Sequence, residues 1–372
     1  MFEIINNLRY KLSNLPGWRT DRKIIVFESD DWGSVRMSSE KSFKSLVKAG
    51  LQIENDPYCR FDALESNSDL ESLFEVISRF RDKNGNHPVF TGLNVVANPD
   101  FEKIKASGFQ HYFYEPFTET LKKYPQHDKV YDLWKEGINK KLLVPQFHGR
   151  EHLNVQIWLR DLQAGNRHTK LAFEHNLWGV YSPLIKHEYQ AAFDLQHPGD
   201  IHYMHSVIEE GVDMFATLFG YQPIYFVPTN GPFNLNLENI LHRKGIKYIL
   251  LDKMQKEPLG NGKFKTHFRY LGKRNSIGQI YMSRNAVFEP AQFPGIDSVN
   301  QCLRSINAMF RLKKPVTIST HRVNYIGWLN HANRDQNLNQ LNLLLNQILK
   351  RWPDVEFMTS TELGNLIGES RK

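Results

Sequence analysis

Apolar, strand-like runs alternate with amphipathic helical stretches along most of this chain, and that alternation limits the fold more than any other feature. The strand-like runs lie at 23–30, 88–96, 142–148, 223–228, 247–252, 279–283, 315–321 and 355–358. Helical patterns occupy 38–49, 67–82, 130–140, 151–162, 202–218, 235–244, 299–312, 333–351 and 359–367. A strand followed by a helix, repeated, requires parallel strands joined by crossover helices. Eight such strands favour a (β/α) barrel over an open sheet. The 372 residues, 41% hydrophobic and 23% charged, supply ample core for one barrel domain over 21–372. Two stretches break the rhythm, about 166–222 and 253–300. They read as insertions over the strand C-terminal ends, where substrate-shaping loops belong.

The chemistry gathers at strand ends. The first run, Lys23-Ile24-Ile25-Val26-Phe27-Glu28-Ser29-Asp30-Asp31-Trp32-Gly33, closes in paired aspartates. Side chains alternate along an extended segment, so Asp30 and Asp31 have different surroundings. One can hold a metal while the other takes a proton. The run ending at His148 continues Gly149-Arg150-Glu151-His152. His148 and His152 are four apart, so on a helical turn their imidazoles share a face. Two histidines and one carboxylate make a three-ligand site with a position left for water and substrate. Zinc is the default divalent metal for such a set, and cobalt, nickel, iron or manganese use similar ligands. Pro228-Thr229-Asn230-Gly231 forms a tight loop after another strand, Asp252 ends the next, and His321-Arg322 ends a late one.

In these motifs the chain resembles the polysaccharide deacetylase (NodB-homology, carbohydrate esterase) family, over strand ends spread across about residues 23–325. The resemblance implies a distorted (β/α)7-type barrel and metal-dependent deacetylation of an acetylated sugar, N-acetyl rather than O-acetyl, in a glycan or glycan precursor. It assigns Asp30 as general base, Asp31, His148 and His152 as metal ligands, the Asn230 backbone N–H as oxyanion donor, and His321 as general acid. Departures are equally specific. Glu28-Ser29 precedes the acid pair where the family has Thr-Phe, and Gly149 stands where Ser or Thr is usual. Val227 occupies the position of the arginine that orients the base, with Arg150, Arg284 or Arg322 as replacements. Asp252 is an approximate match to the acid behind the late histidine. The departures leave two other readings, a catalytically silent glycan-binding barrel and another metal-dependent C–N hydrolase. Trp158, Trp178, Tyr181, Tyr203, Tyr225 and Trp328 are the aromatics from which one or two sugar-stacking residues are expected.

The bulk properties argue against other classes. Net charge is +7, but the bases are scattered, with no nucleic-acid motif. That balance suits an anionic substrate such as a nucleotide sugar or lipid phosphate. Two cysteines, Cys59 and Cys302, fit a reducing compartment. No run of 18 apolar residues predicts a spanning helix. Residues 1–20 read as an amphipathic helix, with Ile4, Ile5, Leu8, Leu12 and Leu15 on one side. It packs on the body of the protein or touches a membrane peripherally through 1–15. Lack of a secretory signal pattern points to a cytoplasmic, membrane-associable step.

Overall fold

The computed structural model describes residues 10, 12–182 and 187–370. Most of the helix expected at the N-terminus, residues 1–9 and 11, lies outside the described residues. The main sheet comprises β1 (Ile24–Trp32), β2 (Phe90–Val95), β3 (Leu143–Gly149), β4 (Tyr225–Phe226), β5 (Tyr248–Leu250), β6 (Ile280–Met282), β7 (Ala286–Val287), β8 (Val316–His321) and β9 (Glu356–Phe357). The strand order is β6-β5-β4-β3-β2-β1-β8-β7, with β9 beside the start of β1. Every pairing is parallel. The connections carry α1 (Asn67–Ser78), α2 (Val130–Asn139), α3 (Ile201–Phe219), α4 (Glu238–Arg243), α5 (Ser298–Arg311), α6 (His331–Arg351) and α7 (Ser360–Glu369). This is an α/β barrel, as the alternation predicts.

Two observations show that the sheet is curled. Its edge strands, β6 and β7, are consecutive in the chain with only Ser283, Arg284 and Asn285 between them. The lower half of that segment pairs with β5 and the upper half with β8, so one short stretch of backbone spans the seam. Second, Glu28 of β1 accepts a hydrogen bond from the Tyr225 hydroxyl of β4 at 2.5 Å. Those strands are three positions apart in the sheet, about 14 Å if it were flat.

The period-two pattern decides which residues enter the lumen. Ile25, Phe27, Phe90, Leu143, Val316 and Ile318 pack outward with Leu341, Leu344 and Leu345 of α6. Ile24, Val26, Tyr225, Tyr248, Leu250, Ile280 and Met282 pack inward with Leu363 and Ile367 of α7. The last helix, capped by a Thr359/Glu362 capping box, therefore reaches the barrel's inner residues. Gly364 permits this, because a Cβ there would lie 2.8 Å from the Tyr248 ring.

One expectation needs correction. The helix predicted at 151–162 is instead Val155–Gln163, capped by Asn154, whose side chain accepts from the Ile157 N–H. Asn154 also donates to the Ala191 and Asp194 carbonyls, which holds the preceding loop out of the helix. The stretch 253–300 contains an antiparallel hairpin, Met254–Gly260 with Lys263–Phe268, that the parallel rhythm does not foretell. Among the described residues no helix is long and apolar enough to cross a membrane. Cys59 and Cys302 are buried free thiols.

Candidate active site

The inward-facing residues at the C-terminal strand ends meet in one cavity of about 460 Å³. Asp30, Asp31, His148, His152, Asn230 and His321 all line it. All six sequence-predicted site residues are thus brought together.

Strand alternation accounts for Asp30 but not for Asp31. Ile24, Val26, Glu28 and Asp30 share the inward parity, so Asp31 should point into the helix layer. Instead its φ is +78° and the β1–β2 register shifts between Ser29 and Trp32. An L-residue in this left-handed region is costly, and such strain concentrates at functional sites. The consequence is that two adjacent carboxylates reach the same cavity. The two histidines also meet by a route other than the expected helical turn. His148 is in β3, and Gly149 adopts φ +150°, where a side chain is disfavoured. The chain then turns so that the imidazole centroids lie 5.2 Å apart.

Asp31 Oδ1 lies 2.9 Å from His152 Nε2 and 3.8 Å from His148 Nε2. One ligand atom from each of the three residues falls within 4.8 Å of the others, and all three are buried. His148 Nδ1 bonds the Val227 carbonyl at 2.8 Å, so that nitrogen carries the proton. Nε2 is buried and has no hydrogen-bond partner among the described residues. Burial lowers the His152 pKa to about 4 against the opposing pull of Asp31, so its imidazole is neutral near pH 7. Burial works to raise the Asp31 pKa, yet His152 and Arg36 hold it well below the usual carboxylate range. Two imidazoles and a carboxylate, with His148 Nε2 and His152 Nδ1 buried and unpartnered among the described residues, match the donor set of a divalent cation. Arg36 braces Asp31 from behind at 3.3 Å and lies 4.7 Å over the Trp178 ring, which itself stacks on His152.

Asp30 has a different environment. Arg284 Nη1 donates to Asp30 Oδ2 at 2.8 Å and Nη2 to Oδ1 at 2.5 Å, a two-pronged grip. The same guanidinium donates through Nε to Glu28 at 2.7 Å. Glu28 is fully buried and also accepts from the Tyr225 and Ser360 hydroxyls. Burial opposes ionisation of Asp30, but Arg284 outweighs it and the pKa lies below the ordinary value. Of the three arginines weighed as replacements at the Val227 position, only Arg284 reaches Asp30. Arg150 pairs with Glu151 and Glu210, and Arg322 with Asp62 and Glu65. Removing Arg284 would leave buried Glu28 without a cation and Asp30 with only His321 at 3.7 Å. Arg284→Ala is therefore expected to cost about 3–5 kcal/mol of stability, read from urea unfolding midpoints. A loss under about 1 kcal/mol would mean the triad is not structurally coupled.

His321 Nε2 lies 3.7 Å from Asp30 Oδ2, and Nδ1 lies 2.5 Å from Glu289 Oε1. Burial would lower the His321 pKa, but Glu289 and Asp30 raise it to about 9, so the ring is protonated at neutral pH. Asp252, the expected partner of this histidine, is not the one used. It lies two residues past β5 on the cavity wall near Gly231, while Glu289, two residues beyond β7, does the job. Glu289 is fixed by Asn324 at 2.7 Å and Gln292 at 2.9 Å. It had no motif around it, only its place after a strand too short to recognise. Asn230 sits in the left-handed region (φ +56°), and its N–H donates to no acceptor among the described residues. None of the six proposed stacking aromatics lines the cavity. Trp158, Trp178 and Tyr225 are buried, the last inside the barrel. Tyr58 lines it instead, edge-on to His321 at 5.8 Å.

The sequence matches no protein-family model. No curated protein matches it either. Solved structures similar in fold include a Mycobacterium smegmatis protein described as a polysaccharide deacetylase, with 10% identity, a TM-score of 0.45, and 96% of this chain and 94% of the other covered. An allantoinase matches with 12% identity, a TM-score of 0.45, and 94% and 93% covered. A 4-alpha-glucanotransferase from Thermococcus litoralis matches with 11% identity and a TM-score of 0.46 over 92% of this chain and 40% of its own. At these levels the likenesses carry no argument about the reaction.

Proposed function

We propose that the protein is a metal-dependent hydrolase that removes the N-acetyl group from an acetylated sugar of a glycan or glycan precursor. The observation that carries this reading is the placing, 3.7 Å apart in one cavity, of an ionised carboxylate (Asp30, held by Arg284) and a protonated imidazole (His321, held by Glu289), beside the Asp31, His148 and His152 set. A base and an acid kept in opposite protonation states at one pH are what amide hydrolysis by water requires. The N-acetyl preference and the sugar itself come from the family resemblance, and the site chemistry is compatible with both.

Asp31, His148 and His152 would hold the divalent cation, zinc by default. When bound, the cation supplies Lewis-acid polarisation of the acetyl carbonyl and a lowered pKa for water. Asp30 accepts the proton of the attacking water, and Arg284 keeps it anionic until then. The Asn230 N–H donates to the oxygen that gains charge as water adds to the carbonyl carbon. His321 gives its proton to the sugar nitrogen as the C–N bond breaks, releasing acetate and the free amine. The valine at 227 does not exclude activity, because Arg284 supplies the cation beside the base from another strand.

The direct test is acetate release from a panel of N- and O-acetylated amino sugars and oligosaccharides by the metal-loaded protein. A protein that binds one ion per chain and sugar, yet releases no acetate from any member, would count against the reading. A pH profile tests the acid. With His321 near 9, it works in its protonated form below that pH, so the rate should fall as pH rises through about 9. Glu289→Gln removes the nearest raising charge. The alkaline limb should then move toward about 6.5 or lower, with a roughly 30-fold loss of rate at about pH 8. An unmoved limb would remove His321 from the acid's role.

A further inference from the structure

A second cavity, about 790 Å³, shares Lys253, Arg284 and Val287 with the active-site cavity as common walls. Its far side is α5, which presents Arg304 and Arg311, seven residues apart and so on one helix face. Both are exposed, and neither has a carboxylate within ion-pairing distance among the described residues. Among the described residues no acidic one lines this cavity. Lys253 is held by the Asn14 side-chain oxygen at 2.6 Å, a neutral partner. Burial lowers its pKa to about 8, which leaves it charged at neutral pH, and no carboxylate pairs with it among the described residues. The active-site cavity, in contrast, balances its cations with Glu28, Asp30, Asp31 and Glu289. Several surface lysines likewise pair with acids, as Lys44, Lys105, Lys122 and Lys140 do. Three cations around a cavity of ligand size, with no acid among its described lining residues, attract an anion, and two guanidiniums suit a phosphate or carboxylate.

We infer that this second cavity binds an anionic group, a phosphate ester or a uronate carboxylate, attached to the sugar that occupies the first. The substrate then spans both cavities over the Arg284–Val287 wall, and Arg304, Arg311 and Lys253 select for acidic substrates. The sugar half of this statement rests on the proposed deacetylation. The anion half does not.

Calorimetric titration of the full-length chain, kept in chelator so that nothing turns over, tests the anion site. The probes are N-acetylglucosamine, N-acetylglucosamine 1-phosphate and an N-acetylglucosamine disaccharide bearing a glucuronate. At least one acidic probe should bind ten-fold or more tighter than the neutral sugar in low salt, and which one does identifies the anion's source. Arg304→Gln combined with Arg311→Gln should erase at least ten-fold of that affinity. Arg243→Gln with Arg351→Gln, the same charge change away from the cavity, should not. Charged and neutral probes binding within two-fold of each other would overturn the proposal. So would equal losses in the two double variants, which would make the effect one of net charge. Because binding is read without turnover, acidic-probe affinity that persists in a protein releasing no acetate would reject only the deacetylase reading. Acetate release without the anion effect would reject only this one.

Discussion

Asp30→Asn is expected to lower acetate release by about 10²–10⁴-fold while leaving one bound ion per chain. The substitution keeps the shape of the side chain and removes its ability to accept a proton. Arg284 retains its bond to Glu28, so the guanidinium has a partner and stays in place. Asp30 is outside the cluster formed by Asp31, His148 and His152, so the donor set is untouched. Paired measurement of kcat and of metal content by elemental analysis decides the matter. Turnover at the wild-type rate would sink the assignment of Asp30 as base. Loss of metal together with turnover would mean that Asp30, not only Asp31, ligates the ion.

His148→Ala is expected to lose both metal and activity, reducing bound ion from about one per chain to near zero at micromolar metal. The alanine deletes one of the two buried imidazole nitrogens in the cluster that have no partner among the described residues, His148 Nε2, the other being His152 Nδ1. It also deletes the ring that donates to Val227, whose carbonyl is buried beside the cavity. Added metal should stabilise the wild type by about 2.7 kcal/mol at 100 times the dissociation constant, and should not shift the variant's melting temperature. A variant that keeps one ion per chain would show that the metal sits elsewhere. A wild type that takes up no zinc or cobalt would remove the three-ligand reading altogether.

Much of this site is legible in the sequence because strand ends leave a strong local signal. An apolar run that stops at Asp30-Asp31, His148 or His321 places its last polar residue at the mouth of a parallel barrel whatever the neighbouring strands are. What could not be read depends on backbone detail or on partners distant in the chain. The left-handed conformation of Asp31 reverses the side that alternation would assign it. The bend at Gly149 achieves with a loop what a helical turn was expected to do. Glu289 replaces Asp252 because the segment 280–287 crosses the seam of the sheet, carrying Glu289 to His321 and leaving Asp252 on another wall. The two pairing halves, three and two residues long, are too short for any pattern to register.

The sequence by itself determined the parallel α/β architecture, the strand ends that carry chemistry and the residue types available there. Hydrophobic period and residue identity are local properties, set within ten or so consecutive positions. The tertiary structure alone decided which charges are neighbours. Arg284 meets Glu28 and Asp30 from more than 250 positions away, and Arg304 and Arg311 border one cavity with no acid among its described lining residues. Such pairings follow from how far the sheet curls and where its two edges meet. That curl is a sum of small twists and contacts over the whole barrel, and no single stretch of chain encodes it.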